Sequence, residues 1–423
     1  MKVLHLNTND TSGSGKAVLR LHYGLKALGV NSKILTLYSA SGDGDVIVFE
    51  RSGNILGRAL TKLNNTFIAN EVNKYSRTMQ KTGEIFSDGK AVFGVDRHDL
   101  FKWADIIHLH WVPGMLDYAK PLSNVGRKAI VWTLHDMNPF TGGCHYTGDC
   151  EKYRENCGTC PKLGSQKPFD LSNKIWRRKK NGYAKLKKLQ LVASSRWLKA
   201  CAGKSALFKK HTVNCIHYSL PIDIFTIRDK DVSRDIFGLP HDKRLILFGS
   251  DYKTERKGLK YLMDALKILE NRIDISSLAL GVFGPYEAKD VDYYNLKIPI
   301  YSFGYINSDA KLSYLYNAAS VFVIPSVEEN LAQTCLEAMA SGVPIVGFNV
   351  GGMKEIVEQG ITGFLVEPKD AGALAERMFF LLKNPELCEH IGRNARKLVE
   401  ERFDLKTQAK KYIDIYKSLL IRI

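Results

Sequence analysis

Two glutamates, Glu329 and Glu337, stand eight positions apart in "SVEENLAQTCLEAMASG", a stretch that follows an apolar run and otherwise reads as a buried helix. Ionised carboxylates in such a place accept hydrogen bonds from hydroxyls or pair with cations, because burying them without a partner is costly. A helix beginning near Ala332 puts Glu329 in the loop at its mouth and Glu337 in the second turn, about 7 Å further along the axis at about 1.5 Å per residue. That separation excludes a single two-carboxylate dyad. It suits two parts of an extended ligand, with the N–H groups around Leu331 to Thr334 between them for a phosphate or a hydroxyl. The preference of acidic residues for a helix N-terminus accounts for Glu328 and Glu329, but not for Glu337 or the Gly-rich "VGGMKEIV" that follows.

Two other clusters could do chemistry. In "NTNDTSGSGKAVLRLHYGLKALG", Gly13 and Gly15 open a helix, where backbone can approach a ligand and N–H groups suit an anion. "SGSGK" looks like a phosphate-binding Walker loop, but Asp10 stands where that loop needs a Gly and Ala17 where it needs a magnesium-binding Ser or Thr. A plain strand-to-helix turn is the competing reading. Cys144, Cys150, Cys157 and Cys160 lie beside His145 with five, six and two residues between them. One Cys-x-x-Cys is half of a zinc knuckle and the other pair is looser, so structural zinc, reduced thiols and disulfides all stay open. A zinc there would pin a loop rather than take part in chemistry.

The elements that must position these residues are legible as a rhythm. Short Val-, Ile- and Leu-rich runs alternate with amphipathic stretches: "KVLHLN", "NSKILTLY", "ADIIHLHWV", "AIVWTLHD" and "LQLVASS", then "RLILFGS", "LALGVFG", "IPIYSFGYI", "ASVFVIPS", "VPIVGFN" and "GFLVEP". Alternating strand and helix, twice over in 423 residues, predicts two Rossmann-like, doubly wound α/β domains facing a central cleft, with ligands at the carboxyl ends of the strands. The expected boundaries are a basic N-terminal domain over 1–218, a Pro-bearing linker over 219–240 and a second domain over 241–403. A final helix over 404–423 is expected to pack back towards the first domain. No run approaches a membrane span and "MKVLHLN" is too short for a signal peptide, so a cytoplasmic location is expected. The net charge of +17 sits wholly in the first half: 36 basic against 19 acidic residues through position 232, and equal numbers after it. Such a half prefers an anionic partner.

"EENLAQTCLEAMASGVPIVGFNVGGMKEIVEQGITGFLVEP" resembles the family 4 retaining glycosyltransferases of GT-B fold, marked by Glu, seven residues, Glu, an Ala-x-Gly-x-Pro turn and a Gly-Gly loop. The resemblance extends through the Gly loop, "IIHLHW", "TLHD", "VASSRWL", "KGLKYLMDAL", "VFGP" and "FGYINSDAKLSYLYNAASVFVIPS". "HDMNPFTGGCHY" and the cysteine segment resemble enzymes of bacterial exopolysaccharide, capsule, colanic-acid or O-antigen synthesis. The resemblance implies transfer of a hexose from a UDP- or GDP-sugar, with retained configuration and no cofactor required for catalysis, to a saccharide or lipid-diphosphate-linked acceptor. Glu337 would hold the ribose and Glu329 the donor sugar. Backbone of Asn330, Leu331, Ala332 and Gln333 would meet that sugar or the phosphates, and Lys257 would neutralise the diphosphate. His135 would contact the sugar near its reacting carbon, and Gly284, Pro285 and Tyr305 would border the base. The family usually has an Arg where Ser250 stands, which leaves Arg256 as the candidate substitute. "NLAQ" departs from the usual Gly-x-Gly-x-Pro, a change expected to retune donor choice.

Two rival readings are weighed. A metal-dependent transferase of the other major fold needs an Asp-x-Asp; the three such spacings, Asp43/Asp45, Asp229/Asp231 and Asp290/Asp292, follow no nucleotide-binding half. A non-catalytic subunit binding polyanions or membranes on the same scaffold is the alternative from a different class, and Glu329, Glu337 and Lys257 together argue against it. "SNKIWRRKKNGYAKLKK", with eight positive charges, reads as a solvated helix, its Lys185 to Lys188 favoured by the helix C-terminus, or as a peripheral attachment to an anionic membrane. No nucleic-acid recognition module accompanies it.

Overall fold

The computed structural model describes residues 1–50, 66, 69–75, 84–91, 93–119, 128–250 and 253–421. They form two compact units, Met1–His217 with Lys406–Ile423, and Tyr218–Leu405.

The first unit is built on a seven-stranded sheet in the order β3-β2-β1-β4-β5-β6-β7. Its strands are β1 Lys2–Leu6, β2 Asn31–Thr36, β3 Val46–Val48, β4 Ile106–Leu109, β5 Ala129–Leu134, β6 Leu189–Ala193 and β7 Val213–Cys215. Every pairing is parallel. β4 and β5 are buried at every position, which is why their sequences are continuous apolar runs instead of alternating ones. Strand order reverses between β1 and β4, so their carboxyl ends open a crevice where this topology binds ligands. Beneath, Trp132, Phe140, Tyr183 and Phe208 centre one core. The last helix, Leu405–Ile421, completes another: Tyr412 and Tyr416 pack with Val3, Ile106 and Val131. Their hydroxyls lie 2.8 Å from Thr133 Oγ1 and 2.7 Å from His108 Nδ1.

The second unit repeats the plan with six parallel strands in the order β10-β9-β8-β11-β12-β13. They are β8 Arg244–Gly249, β9 Leu278–Phe283, β10 Ile300–Ser302, β11 Val321–Ile324, β12 Ile345–Phe348 and β13 Gly363–Val366. Here the reversal falls between β8 and β11. The stretch expected to be a linker is folded into this unit. Asp229 caps the helix Lys230–Ile236 by accepting from Val232 N–H, and Arg228 N–H donates to Asn317 Oδ1 over 2.7 Å.

The basic stretch differs from expectation in one respect. Its helix, Leu171–Tyr183, ends before Lys185, so Lys185 to Lys188 lie beyond its last turn, while Trp176, Lys179 and Tyr183 face inward. Lys174, Arg177, Lys180, Lys185 and Lys187 remain exposed. Among the described residues, no helix is long and apolar enough to cross a membrane.

Candidate functional site

In the second unit, β11 runs into Pro325 and a short loop, then into the helix Gln333–Ala340. A one-turn 3-10 helix, Glu255–Lys257, lies alongside, because Gly258 turns left-handed (φ 73°) against the loop. A Cβ at Gly258 would fall 1.8 Å from the Pro325 carbonyl oxygen, so only glycine permits this approach. Val327 N–H donates to Arg256 O over 2.8 Å and Arg256 Nη1 to Glu328 O over 2.9 Å, closing the two segments on each other. The result is a charged triad: Lys257 Nζ lies 2.7 Å and Arg256 Nη1 3.6 Å from Glu329 Oε2. Burial pushes the Glu329 carboxyl up, but Lys257, Arg256 and the Asn330 N–H outweigh it and hold the group below its ordinary range. Glu329 is therefore an anion at physiological pH.

Glu337 is 2% exposed and accepts from the Tyr316 hydroxyl over 3.0 Å. Asn330, Leu331 and Ala332 are buried, and Asn330 O accepts from Gly352 N–H, which ties the Gly-Gly loop to the glutamate loop. Gln333 begins the helix. The Asn330 N–H, expected on a ligand, is engaged by the Glu329 side chain.

Ser250 directly follows β8. It is buried, with its hydroxyl 2.8 Å from that of Tyr286, whose pKa burial pushes up to about 12. Gly284 (φ 104°) lets the β9 loop pass the Ser250 carbonyl, and its N–H donates to Gly304 O. Pro285 and Tyr305 are exposed beside these turns. Arg256, the candidate substitute, holds the glutamate loop.

In the first unit, Gly13 starts the helix Gly13–Ala27, and Ser12 caps it by accepting from Gly15 N–H over 3.3 Å. A Cβ at Gly15 would lie 2.4 Å from the Asp10 carbonyl carbon, so the turn itself requires that glycine. His135 follows β5; its Nε2 lies 3.1 Å from His110 Nδ1, and burial holds its pKa down at about 4. Next to it, Asp136 Oδ2 accepts from Trp111 Nε1 at 3.0 Å and from His145 Nδ1 at 2.6 Å.

Cys144, Cys150, Cys157 and Cys160 line a single cavity, and none is in a disulfide. Burial pushes the Cys144 and Cys160 thiols up and Cys157 to about 12; Lys162 and Leu163 N–H groups donate to Cys160, which favours its thiolate. No three of the sulfurs approach within 4.8 Å of one another. Buried Lys179 lies near Cys144 and Cys157, and desolvation lowers its pKa to about 8.

The sequence had not singled out Tyr316, Tyr286, His110 or Asp136. Only "HLHW", with two histidines on alternate positions at a strand end, carried a signal. The Asp-x-Asp spacings are occupied by ordinary structure: Asp45 pairs with Lys26, Asp231 with His241 and Asp290 with Lys253.

Two parallel, doubly wound units with these strand orders make the GT-B fold. Among solved structures the chain is similar to sucrose-phosphate synthase from Thermosynechococcus elongatus, with a TM-score of 0.68 and 20% identity over 100% of both chains. It is also similar to HepE of Anabaena solved with UDP-glucose, with a TM-score of 0.66 and 18% identity over 99% of this chain and 100% of that one. At such identities the likeness speaks to fold alone. The family signal lies in the second unit, where residues 229–398 match the family described as "Glycosyl transferases group 1". An uncharacterised glycosyltransferase of Methanocaldococcus jannaschii is 35% identical over 190 residues, 44% of this chain and 47% of that protein. The chain spans about half or less of the length of the curated relatives it matches.

Proposed function

We propose that this chain is a retaining glycosyltransferase that moves a hexose from a nucleotide-diphosphate sugar to a saccharide or lipid-linked saccharide in bacterial surface polysaccharide synthesis. The observation that carries the reading is the ionised Glu329 held between Lys257 and Arg256, with Glu337 buried in the helix Gln333–Ala340 that follows. Lys257 has three N–H donors and gives one to Glu329, so the others serve a departing diphosphate as a point charge. Glu329, fixed as an acceptor, orients a sugar hydroxyl, and Glu337 takes the ribose hydroxyls. Charge that develops on the leaving phosphate meets a cation already in place, the preorganisation on which such transfer depends. Ionised Glu329 is not an acid; with front-face departure, the leaving diphosphate itself accepts the acceptor's proton. The match of residues 229–398 to the group 1 family, and the fold shared with a protein solved with UDP-glucose, support the donor class.

The cysteine loop is assigned a structural zinc. Four thiols around one cavity suit a tetrathiolate site, and the adjacent buried ammonium of Lys179 would offset its negative charge, although the sulfurs must draw together to bind. Attachment to an anionic membrane through the exposed basic residues of 174–187 is the accompanying proposal for location. Vesicle co-sedimentation indifferent to salt would refute it.

The deciding experiment is thermal stability against UDP-, GDP- and ADP-sugars, with ATP as control. A ligand at about 100 times its Kd stabilises by about 2.7 kcal/mol. One base's diphosphate sugar should raise the midpoint and Glu337→Ala should abolish the rise. A shift with ATP alone sinks the reading, and donor binding without transfer would favour the non-catalytic subunit.

A further inference from the structure

His135 ends a row of three imidazoles, contributed by β1 and by the ends of β4 and β5, successive strands of one sheet. His5 Nδ1 lies 3.0 Å from His110 Nε2, and His110 Nδ1 lies 3.1 Å from His135 Nε2. His5 is fully buried and His110 is 3% exposed. Burial disfavours the cation in all three, holding His5 and His110 well below the ordinary histidine range. Each ring is thus neutral near pH 7, with one N–H and one lone pair.

A row linked in this way has two self-consistent arrangements. Either every ring carries its proton on Nδ1 and donates towards His135, or every ring carries it on Nε2 and donates towards His5. The second ends in an N–H at His5 Nε2, an atom that is buried and has no hydrogen-bond partner among the described residues. The first leaves only a lone pair there. Orphaned buried N–H groups are rarer than under-used acceptors, because a proton that finds no acceptor forfeits its whole hydration.

We infer that His5 and His110 are positioning residues that lock His135 in the Nδ1–H tautomer. His135 Nε2 then accepts from His110, and the ring can serve a ligand only as a donor, through Nδ1. The inference rests on the contact with the donor sugar that the family resemblance implies for His135, and adds a polarity: the ring meets an oxygen lone pair and is not a base. Neighbouring His108 stands outside the row, since both its nitrogens are taken by the hydroxyls of Tyr416 and Thr133. That also argues against a metal shared by His5, His108 and His110, although their ring nitrogens lie within 4.8 Å of one another.

The test is a long-range ¹H–¹⁵N ring spectrum of the full chain labelled at histidine, assigned with single His→Asn variants. His5, His110 and His135 should each appear as neutral Nδ1–H rings; an Nε2–H at His110 or His135 overturns the inference. In His5→Leu the lock is released. The His135 signal should become a tautomer mixture, with kcat lowered about threefold to tenfold and KM for the nucleotide sugar within about twofold, a range set by the cost of one misplaced donor. A folded His5→Leu protein whose His135 spectrum is unchanged overturns it as well. If that variant does not fold, the wild-type spectrum decides alone. The spectrum needs no substrate, so absence of transfer activity would sink the functional reading without touching the tautomer result.

Discussion

Replacing Lys257 by methionine keeps the stem and removes the charge, leaving Glu329 buried with Arg256 as its remaining cation. At an effective dielectric near 20, two unit charges attract by about 6 kcal/mol at 2.7 Å and about 5 kcal/mol at 3.6 Å, so roughly half of the attraction goes with Lys257. Breaking a buried pair outright costs roughly 3–5 kcal/mol; with Arg256 still present, the expected loss is about 2–3 kcal/mol at about pH 7.5. The pH dependence follows from the direction of the shift. In the wild type the folded carboxyl lies below its unfolded value of about 4.3, so it contributes stability above that pH and loses it as pH falls through the folded pKa. In Lys257→Met burial dominates and raises the folded pKa, so the penalty is full at about pH 7.5 and fades towards about pH 4.5, where the carboxyl takes up a proton. A double-mutant cycle with Glu329→Gln isolates the coupling. All five tryptophans lie in the first unit, so fluorescence follows that unit and circular dichroism follows both. The reasoning is refuted by a coupling below about 0.5 kcal/mol at the higher pH, or by one that does not shrink at the lower.

Three further outcomes are expected. Tyr316→Phe removes the donor to Glu337; unfolding should show a loss of about 1–2 kcal/mol and titration a threefold to tenfold weaker nucleotide affinity, while unchanged affinity would detach Glu337 from the ligand. Gly258→Ala meets both the left-handed backbone and the Pro325 carbonyl, so it should lose more than about 3 kcal/mol; a wild-type melting midpoint would show that this turn does not need glycine. Protein purified without chelator should carry about one zinc per chain, abolished in Cys157→Ser/Cys160→Ser, and elemental analysis showing none would remove the metal.

The interior strands were legible because burial on both faces writes them as unbroken apolar runs. β3 and β7 were not, being three residues long at the sheet's edges, where neither length nor burial leaves a pattern. The helix Lys230–Ile236 was hidden by the prolines and mixed charge around it, although Asp229 is an ordinary cap. At the site, the spacing of Glu329 and Glu337 announced buried carboxylates. Their partners could not be read, because Lys257 lies 72 positions before Glu329 and Tyr316 is 21 positions before Glu337. Only the fold brings such residues together. The basic stretch misled in detail for a related reason: charge pattern does not disclose that Lys179 turns inward to the Asn138 and Thr141 carbonyls.

The first unit is interrupted. Its core needs Tyr412 and Tyr416, which emerge from the ribosome only after the whole of Tyr218–Leu405. The second unit is contiguous and can fold as soon as it is made, with its entrance and exit fastened by the bridge between Leu220 and Asp404. The first must wait, its histidine and threonine at positions 108 and 133 lacking their tyrosine partners until the end of the described chain is synthesised. During biosynthesis the second unit is thus completed before the unit that precedes it, and a nascent chain stopped at residue 405 would hold one finished unit and one open one.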